Sequence, residues 1–261
     1  MKTRTFTISI ILALLLVLPF INGCLKKGEE DPFLSIYTRK ARVTGDWKVN
    51  NFYSDVKTTV GSGTDNQTRT VLQVDGENWN ETFYVLGTDS VRETEGTILQ
   101  YEYKFDKNGY YQSVYEYMIV KNSYNEDLGQ DSTITTVIKL EYFGTWNFLG
   151  NIDDYKNKER LALVITEEKY LEYISRYVVS EDDDGAGSSL PPTRIAISKR
   201  YANGEMSTIW TLKSLRNKEM IMHQNINAFY VETLNGSGTP FTNVGYQEQT
   251  LVQGDAVEEE E

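Results

Sequence analysis

The sequence has very few of the side chains on which most enzymes and metal proteins depend. Among 261 residues there is one cysteine, Cys24, and one histidine, His223. A lone thiol cannot form an internal disulfide, and zinc sites need several His or Cys ligands. We therefore expect a protein that is not an enzyme and holds no metal or other cofactor.

Two catalytic alternatives stay open. A Ser-His-Asp triad could be built on His223, but a single histidine between Met222 and Gln224 on a strand is more commonly a partly exposed surface residue. Paired carboxylates for glycoside hydrolysis could be drawn from the 38 acidic residues, although no spacing selects a pair.

Positive charge is also scarce. The chain has 26 Lys and Arg against 38 Asp and Glu, and its net charge is −12. A body this acidic repels phosphate backbones, so nucleic acid is not expected as a partner.

The first 23 residues have the pattern of a signal peptide. Lys2 and Arg4 precede an apolar run, Ile8 to Ile21, that is too short to span a membrane comfortably. The run ends in Ile21-Asn22-Gly23-Cys24, which resembles the bacterial lipobox, where the cysteine is acylated before cleavage. Several acyl chains together would make the membrane anchor effectively permanent. The alternatives are an ordinary secreted protein with a free thiol, or an uncleaved signal anchor.

Residues 24–32 are expected to form a flexible tether between the lipid and the folded domain. The acidic cluster Glu29-Glu30-Asp31 resembles the export signal that carries some Gram-negative lipoproteins to the cell surface. The alternative is a solvated spacer that keeps the domain away from lipid headgroups. We expect an outer-membrane, lipid-anchored protein, at the periplasmic face or the cell surface.

The rest of the chain predicts one β domain over residues 33–250, followed by an acidic disordered tail at 251–261. Asp31-Pro32 predicts the start of a short helix, Phe33 to Arg42, that could flank one end of a barrel. A second short helix is expected near 153–160, where polar helix formers show no alternation.

Alternation with a period of two dominates from Gly45 onward and indicates antiparallel strands. Thr97 to Phe105 places Tyr101, Tyr103 and Phe105 on one face. After Asp106-Lys107-Asn108-Gly109, the next strand carries Tyr111, Tyr115 and Tyr117 on one face. A three-residue loop with Gly109 left-handed would pair Phe105 with Tyr111 and Tyr101 with Tyr115, and we prefer it to a two-residue Asn-Gly turn. A calcium loop here would lack its bidentate glutamate.

Further strands are predicted along the second half of the chain. Ser180 to Thr193 reads as a flexible acidic loop, in which Asp182 to Asp184 could also bind calcium weakly. Asn203-Gly204 predicts a hairpin turn, and Glu167 to Lys169 another short turn. The predicted strands are Ile134 to Tyr142, Leu161 to Thr166, Leu171 to Val179, Ile195 to Tyr201, Met206 to Leu212, Glu219 to Asn225 and Ala228 to Leu234.

Gly45-Asp46-Trp47, within Lys40 to Val49, resembles the Gly-x-Trp opening of lipocalins, and with the lipobox and acidic tether it resembles the lipocalin-like lipoproteins of Gram-negative bacteria. The likeness continues in Gly144 to Phe148, Asp153 to Arg160 and Leu212 to Glu219. The resemblance implies a mainly β, calycin-type barrel formed by an antiparallel meander. It also implies that Trp47 closes one end of the barrel beneath an arginine, for which Arg216 is the candidate.

Two functions follow from this interpretation. In the first, the barrel binds a small apolar or amphipathic ligand, and aromatic side chains line its cavity. Those rings could instead fill the core or cover an outer face. In the second, the domain has no internal ligand and docks a protein or glycan at the cell surface. The candidate lining residues are Tyr101, Tyr103, Phe105, Tyr115 and Tyr117.

Overall fold

The structure is a computed structural model that describes residues 38–61, 66–125, 130–149, 159–180, 187–202, 204–216, 218–234 and 237–254. The predicted signal peptide, Cys24, the tether, Asp182 to Asp184 and residues 255–261 lie outside these ranges. Within them, no helix has both the length and the apolar character needed to cross a membrane.

One short helix and eleven strands make up the described chain, which confirms the predicted mainly β fold. Helix α1 begins after the N-cap Thr38, whose Oγ1 accepts a hydrogen bond from the Ala41 N–H. The elements are α1 Arg39–Val43, β1 Gly45–Val60, β2 Gln67–Asp75, β3 Asn78–Val85, β4 Val91–Phe105, β5 Tyr110–Asn125, β6 Gln130–Phe148, β7 Arg160–Ser180, β8 Gly187–Arg200, β9 Met206–Leu215, β10 Glu219–Leu234 and β11 Ser237–Gln253.

Ten of the strands close into an antiparallel barrel, as predicted for a lipocalin-like meander. β1 to β7 pair in sequence order, β7 pairs next with β9, and β9, β10 and β11 follow until β11 returns to β1. β8 is outside this ring and pairs with β7.

The barrel narrows at the end where β1 begins. From Gly45 to Lys48, β1 pairs directly with β4, so β2 and β3 do not take part in the ring there. Eight strands therefore surround this end, which we call the closed end and define by Gly45–Val49, 102–105, 211–215 and 219–223. Its core is fully buried and contains Trp47, Phe105, Leu161, Leu212, Met220 and Leu251.

Helix α1 packs against the closed end. Val43 has no exposed surface, and the Arg42 guanidinium donates a hydrogen bond to the carbonyl oxygen of Leu215 on β9. The part of the predicted N-terminal helix that the structure describes is thus helical and flanks the barrel, while residues 33–37 lie outside the described ranges.

The aromatic hairpin has the predicted register. Phe105 pairs with Tyr111 and Tyr101 pairs with Tyr115. The Asp106 N–H donates to the Tyr110 carbonyl, which leaves a three-residue loop, and Gly109 has φ +93°. Asp106 also accepts a hydrogen bond from the Asn108 N–H, so the segment is a turn closed by its own side chain.

The predicted turn at Glu167 to Lys169 is wrong. β7 continues through it, and the register shifts by one residue there, because Gly144 pairs with Ile165 whereas Phe143 pairs with Glu167. Thr166 is the extra residue of a β-bulge. A bulge interrupts alternation in the same way as a turn does, so the sequence pattern alone cannot separate the two.

The predicted hairpin between Ile195 to Tyr201 and Met206 to Leu212 is also wrong. β8 and β9 do not pair with each other but follow one another along β7, opposite 167–179 and 160–165 respectively. β8 also includes Pro191 and Pro192, which belong to the predicted flexible loop from Ser180 to Thr193. Proline is tolerated here because β8 is an edge strand.

The chain end differs from the prediction as well. β10 is one strand, and β11, which carries little alternation, was missed. It runs past position 250, where the domain was expected to end, and Leu251 is fully buried. The second predicted helix falls mostly on residues outside the described ranges, although Arg160, its last residue, begins β7.

Gly45 occupies a backbone conformation that other residues rarely adopt, with φ +139°. We expect Gly45→Ala to destabilise the fold by about 1–3 kcal/mol, because a Cβ strains this region of φ. Urea unfolding measures the loss. Gly254→Ala is the matched control, since that glycine has no positive φ and a Cβ would meet nothing within 4 Å; equal losses in both variants would contradict the explanation.

Candidate functional site

The five predicted lining residues all lie on the inner side of the barrel, where an aromatic ladder crosses β3, β4 and β5. Tyr101 contacts Tyr115 with ring centroids 4.7 Å apart. Tyr103 stacks on Phe105 at 5.8 Å, and Tyr117 stacks on Trp79 at 4.8 Å. The stacked and tilted geometries are those preferred by aromatic quadrupoles, so the ladder is a stable wall.

Beside this wall the barrel interior contains a cavity of about 330 Å³. Of the predicted residues, Tyr101, Tyr103 and Tyr115 line it. Phe105 instead fills the core against Trp146, at 5.7 Å between centroids. The cavity is lined by Phe52, Tyr101, Tyr103, Tyr111, Ser113, Tyr115, Leu140, Tyr142, Leu163, Ile165, Met206, Thr208, Trp210 and Gln247.

The cavity is apolar towards the closed end and carries hydroxyl and amide groups on its walls. Leu163, Ile165 and Trp210 belong to the buried core, whereas Ser113, Thr208 and Gln247 offer polar atoms. A hollow of similar volume on the outer face of β6, β7 and β8 includes Lys139, Glu141 and Lys169. The interior cavity is the better candidate, because concave apolar walls with few polar groups are typical of small-molecule sites.

A buried glutamine organises the phenols at one side of the cavity. Gln249 on β11 is 1% exposed, and its Oε1 lies 3.4 Å from the hydroxyl oxygens of both Tyr101 and Tyr103. Its Nε2 donates to the Tyr103 hydroxyl at 3.3 Å. The Trp79 indole N–H donates to the Tyr115 hydroxyl at 2.5 Å. These contacts satisfy polar atoms that burial would otherwise penalise.

Burial keeps the phenols of the wall protonated. It raises the pKa of Tyr101 well above the usual value, with smaller contributions from Tyr103 and Tyr115. Burial and the carboxylate of Glu81 raise the pKa of Tyr117 to about 12. Neutral phenols can donate and accept hydrogen bonds, so the wall presents polarity without charge.

Two more carboxylates lie on the inner face above the phenols. The Tyr201 hydroxyl donates to Glu168 at 2.6 Å, and the Tyr170 hydroxyl donates to Glu172 at 2.9 Å. Burial and Glu168 together raise the pKa of Tyr142 to about 12. The interior thus changes from apolar at the closed end, through neutral phenols, to partly exposed acids.

Several lining residues were missed by the sequence analysis. Trp210, Leu163 and Ile165 belong to predicted strands, but no sequence signal said that these strands face the aromatic hairpin. Gln247, which lines the cavity, and Gln249, which binds the phenols, lie on the strand that was not predicted. Their alternation with Glu248 is the only available signal, and an all-polar alternation does not reveal which face is buried.

The closed end brings together only part of the predicted structural set. Gly45 opens β1, and Trp47 is 1% exposed, with its indole N–H donating to the Val43 carbonyl at 2.8 Å. Arg216 follows β9, and its Nη1 lies 3.5 Å from Glu219 Oε1. The pairing of Arg216 with Trp47 stays a prediction. Arg39 and Arg42, which the sequence analysis did not select, are the arginines buried at this end.

The single histidine lies on the outer face of the barrel. His223 Nε2 is 3.1 Å from Asn225 Oδ1, Nδ1 is 3.4 Å from Glu248 Oε2, and the ring stacks on Tyr246 at 5.9 Å. Among the residues that the structure describes, no group of three or more His, Cys, Asp or Glu is placed to hold a metal ion.

Comparison of the chain with protein-family models, with curated proteins and with solved structures found no match.

The raised pKa values predict a loss of stability in alkali. Neutral tyrosine is favoured in the folded state, so the stabilisation is complete below the unfolded pKa of about 10 and falls as the pH rises towards the folded values. We expect Tyr101→Phe to make the decline in unfolding free energy shallower by about 1.4 kcal/mol per pH unit in that window. Urea titrations at successive pH values measure the slope.

The control for this experiment is Phe52→Leu, which changes the cavity lining without removing a hydroxyl group. Phe52→Leu should change the free energy of unfolding by the same amount at every pH and leave its slope against pH unchanged. An unchanged slope in Tyr101→Phe would mean that this phenol does not ionise on unfolding.

Proposed function

We propose that this protein binds a small amphipathic ligand inside its barrel and is held at the outer membrane by a lipid on Cys24. The interior cavity carries the first part of the proposal. Its volume of about 330 Å³ lies within the range in which proteins enclose small molecules, roughly 300–1,000 Å³.

The distribution of polar groups supports an amphipathic ligand over a purely apolar one. Leu163, Ile165 and Trp210 would contact the apolar part of the ligand at the closed end of the cavity. The hydroxyl groups of the tyrosine wall and the amide of Gln247 would bind its polar part. The phenol oxygens can each accept a further hydrogen bond from the polar part of a ligand, which a purely apolar ligand could not donate.

Filling the cavity should weaken binding. Thr208 lines the cavity from β9, and its neighbour Ser207 points to the outside. We expect Thr208→Phe to weaken binding by roughly tenfold or more, because a change of a few methylene volumes in a fitted site costs at least that much. Ser207→Phe adds the same bulk outside and should leave binding unchanged. Native mass spectrometry of the purified chain identifies a retained ligand by its extra mass.

Trp210 provides a second readout, because it is the tryptophan among the residues that line the cavity. A bound aromatic ligand should quench tryptophan fluorescence in the wild-type chain and much less in Trp210→Phe. A bare chain in the mass spectrometer, together with no quenching by a panel of lipids, retinoids and tetrapyrroles, would count against the ligand-binding function.

The anchor is supported by the sequence, where the only cysteine follows an apolar run and a lipobox-like tetrapeptide. We expect Cys24→Ser, expressed in a Gram-negative bacterium, to lose incorporation of labelled palmitate and to leave the membrane fraction. Asn22→Ala, which makes the tetrapeptide more typical, is the control and should keep both. Membrane association of Cys24→Ser without palmitate would point to a retained signal anchor.

A further inference from the structure

Strands β9 and β10 pair only over the part of their length next to the closed end. The two strands pair from Met220 with Leu215 to His223 with Thr211. Beyond this point β10 continues as far as Leu234. Among the described residues, no strand pairs with that side of β10 above His223, or with the far edge of β8.

β8 forms the other side of this opening. It follows the same path along β7 as β9 does, so its free edge lies on the side where β9 meets β10. Every residue from Ser188 to Arg200 is exposed. A free strand edge offers a row of unpaired N–H and C=O groups to another strand.

The two faces of β8 differ in character. Ile195 and Ile197 pair with Glu172 and Tyr170, which places them on the inner face of the wall, yet they are 41% and 49% exposed. Arg194 pairs with Tyr173 and so lies on the outer face. Arg200 has the same parity as Arg194, whereas Lys199 lies on the inner face with the isoleucines. An added strand would therefore meet Ile195 and Ile197 on one side, and Arg194 and Arg200 on the other.

Charge distinguishes this edge from the rest of the chain. β8 contains Arg194, Lys199 and Arg200 and no acidic residue, although the net charge of the chain is −12. The segment of β10 beyond its pairing with β9, from Gln224 to Val231, has no charged side chain. Strand β8 is thus basic in an acidic protein, although Lys199 and Arg200 pair with Glu168 and Glu167 on β7. Arg194 pairs with the uncharged Tyr173, and its charge favours an acidic partner most strongly.

We propose that the free edge of β8, from Thr193 to Arg200, receives an extended segment of a partner protein in which acidic and apolar residues alternate. Main-chain hydrogen bonds would add the segment to the sheet, and its alternate side chains would meet the two faces of β8. Its apolar residues would cover Ile195 and Ile197, and its acidic residues would lie near Arg194 and Arg200. The edge that can pair with the segment ends at Pro191 and Pro192, because proline has no N–H to donate.

A second copy of the chain suits this edge less well. Pairing β8 with β8 of another molecule would bring the cations of both strands together, and like charges on neighbouring strands destabilise a sheet. Proline and lysine residues hinder the pairing of one edge strand with another, and β8 contains Pro191, Pro192 and Lys199.

The test uses the full-length chain and labelled peptides as long as Thr193–Arg200. One peptide alternates Glu and Val, the second replaces each Glu with Lys, and the third contains the residues of the first in a non-alternating order. We expect saturable binding of the first peptide in fluorescence anisotropy and slower amide hydrogen exchange in β8 when it is bound. Weak or no binding is expected for the other two.

Charge reversal at the edge separates this site from general attraction. The triple variant Arg194→Glu, Lys199→Glu, Arg200→Glu should bind the Glu-Val peptide about tenfold more weakly and should gain binding of the Lys-Val peptide. The control reverses Lys48, Lys104 and Lys107, exposed cations on other strands and turns, and should change neither. If the triple variant does not fold, the exchange pattern of the wild-type chain still locates the site.

Four results would overturn the proposal. These are equal binding of the non-alternating peptide, equal loss of binding in the control variant, and protection in the cavity instead of β8. The fourth is binding that appears only after removal of residues 255–261, which would assign the edge to the acidic end of the same chain. A peptide-binding result leaves the cavity proposal untouched, because the two are measured at different strands.

Discussion

The pairing of β1 is the constraint on which the rest of the structure depends. One side of β1 pairs with β11 along almost its whole length, which joins the last strand to the first. The other side pairs with β4 near Gly45 and with β2 from Asn51 onward. A barrel satisfies its backbone groups only when such a closure exists, and this divided pairing gives the barrel eight strands at one end and ten above.

The narrowing explains where the core and the cavity lie. At the closed end, eight strands leave room only for packed side chains, and Trp47, Phe105 and Leu212 fill it completely. Above it, the added β2 and β3 widen the ring, and tyrosines line the space without filling it. Gln249 hydrogen-bonds to the hydroxyl groups of Tyr101 and Tyr103, and Trp79 donates to that of Tyr115. The same widening thus separates a stabilising core from a site that can hold a ligand.

The barrel is open between β9 and β10 above His223. On the same side, β7 pairs with two different strands along its length. Its first residues pair with β9 and its remaining residues with β8, and only β9 continues into the ring. This arrangement leaves the isoleucines of β8 exposed beside the interior. A barrel built in this way offers two surfaces of different chemistry, a phenol-lined interior and a basic strand edge.

The sequence predicted the local features that depend on residues close together in the chain. The register of the aromatic hairpin followed from matching Tyr101 with Tyr115 across a Gly109 turn, and the structure confirms it. The part of the N-terminal helix that is described and the start of the first strand at Gly45 also agree. These features are set by turn chemistry and by alternation, both of which act over a few residues.

Contacts between distant strands were decided only by the tertiary structure. Nothing in the sequence around Thr166 separates a bulge from a turn, and the Asn203-Gly204 pair looks like a hairpin turn although β8 and β9 lie in line along β7. Gln249 looks like a surface residue until β11 closes the barrel and buries it. The sequence by itself determined the strand faces and the aromatic hairpin, because each depends on residues close together in the chain. It also determined the acidic charge, which is a sum over all residues. Which strands meet, and hence where the cavity and the free edge lie, depends on closing the ladder across the whole chain, and no short-range pattern encodes that closure.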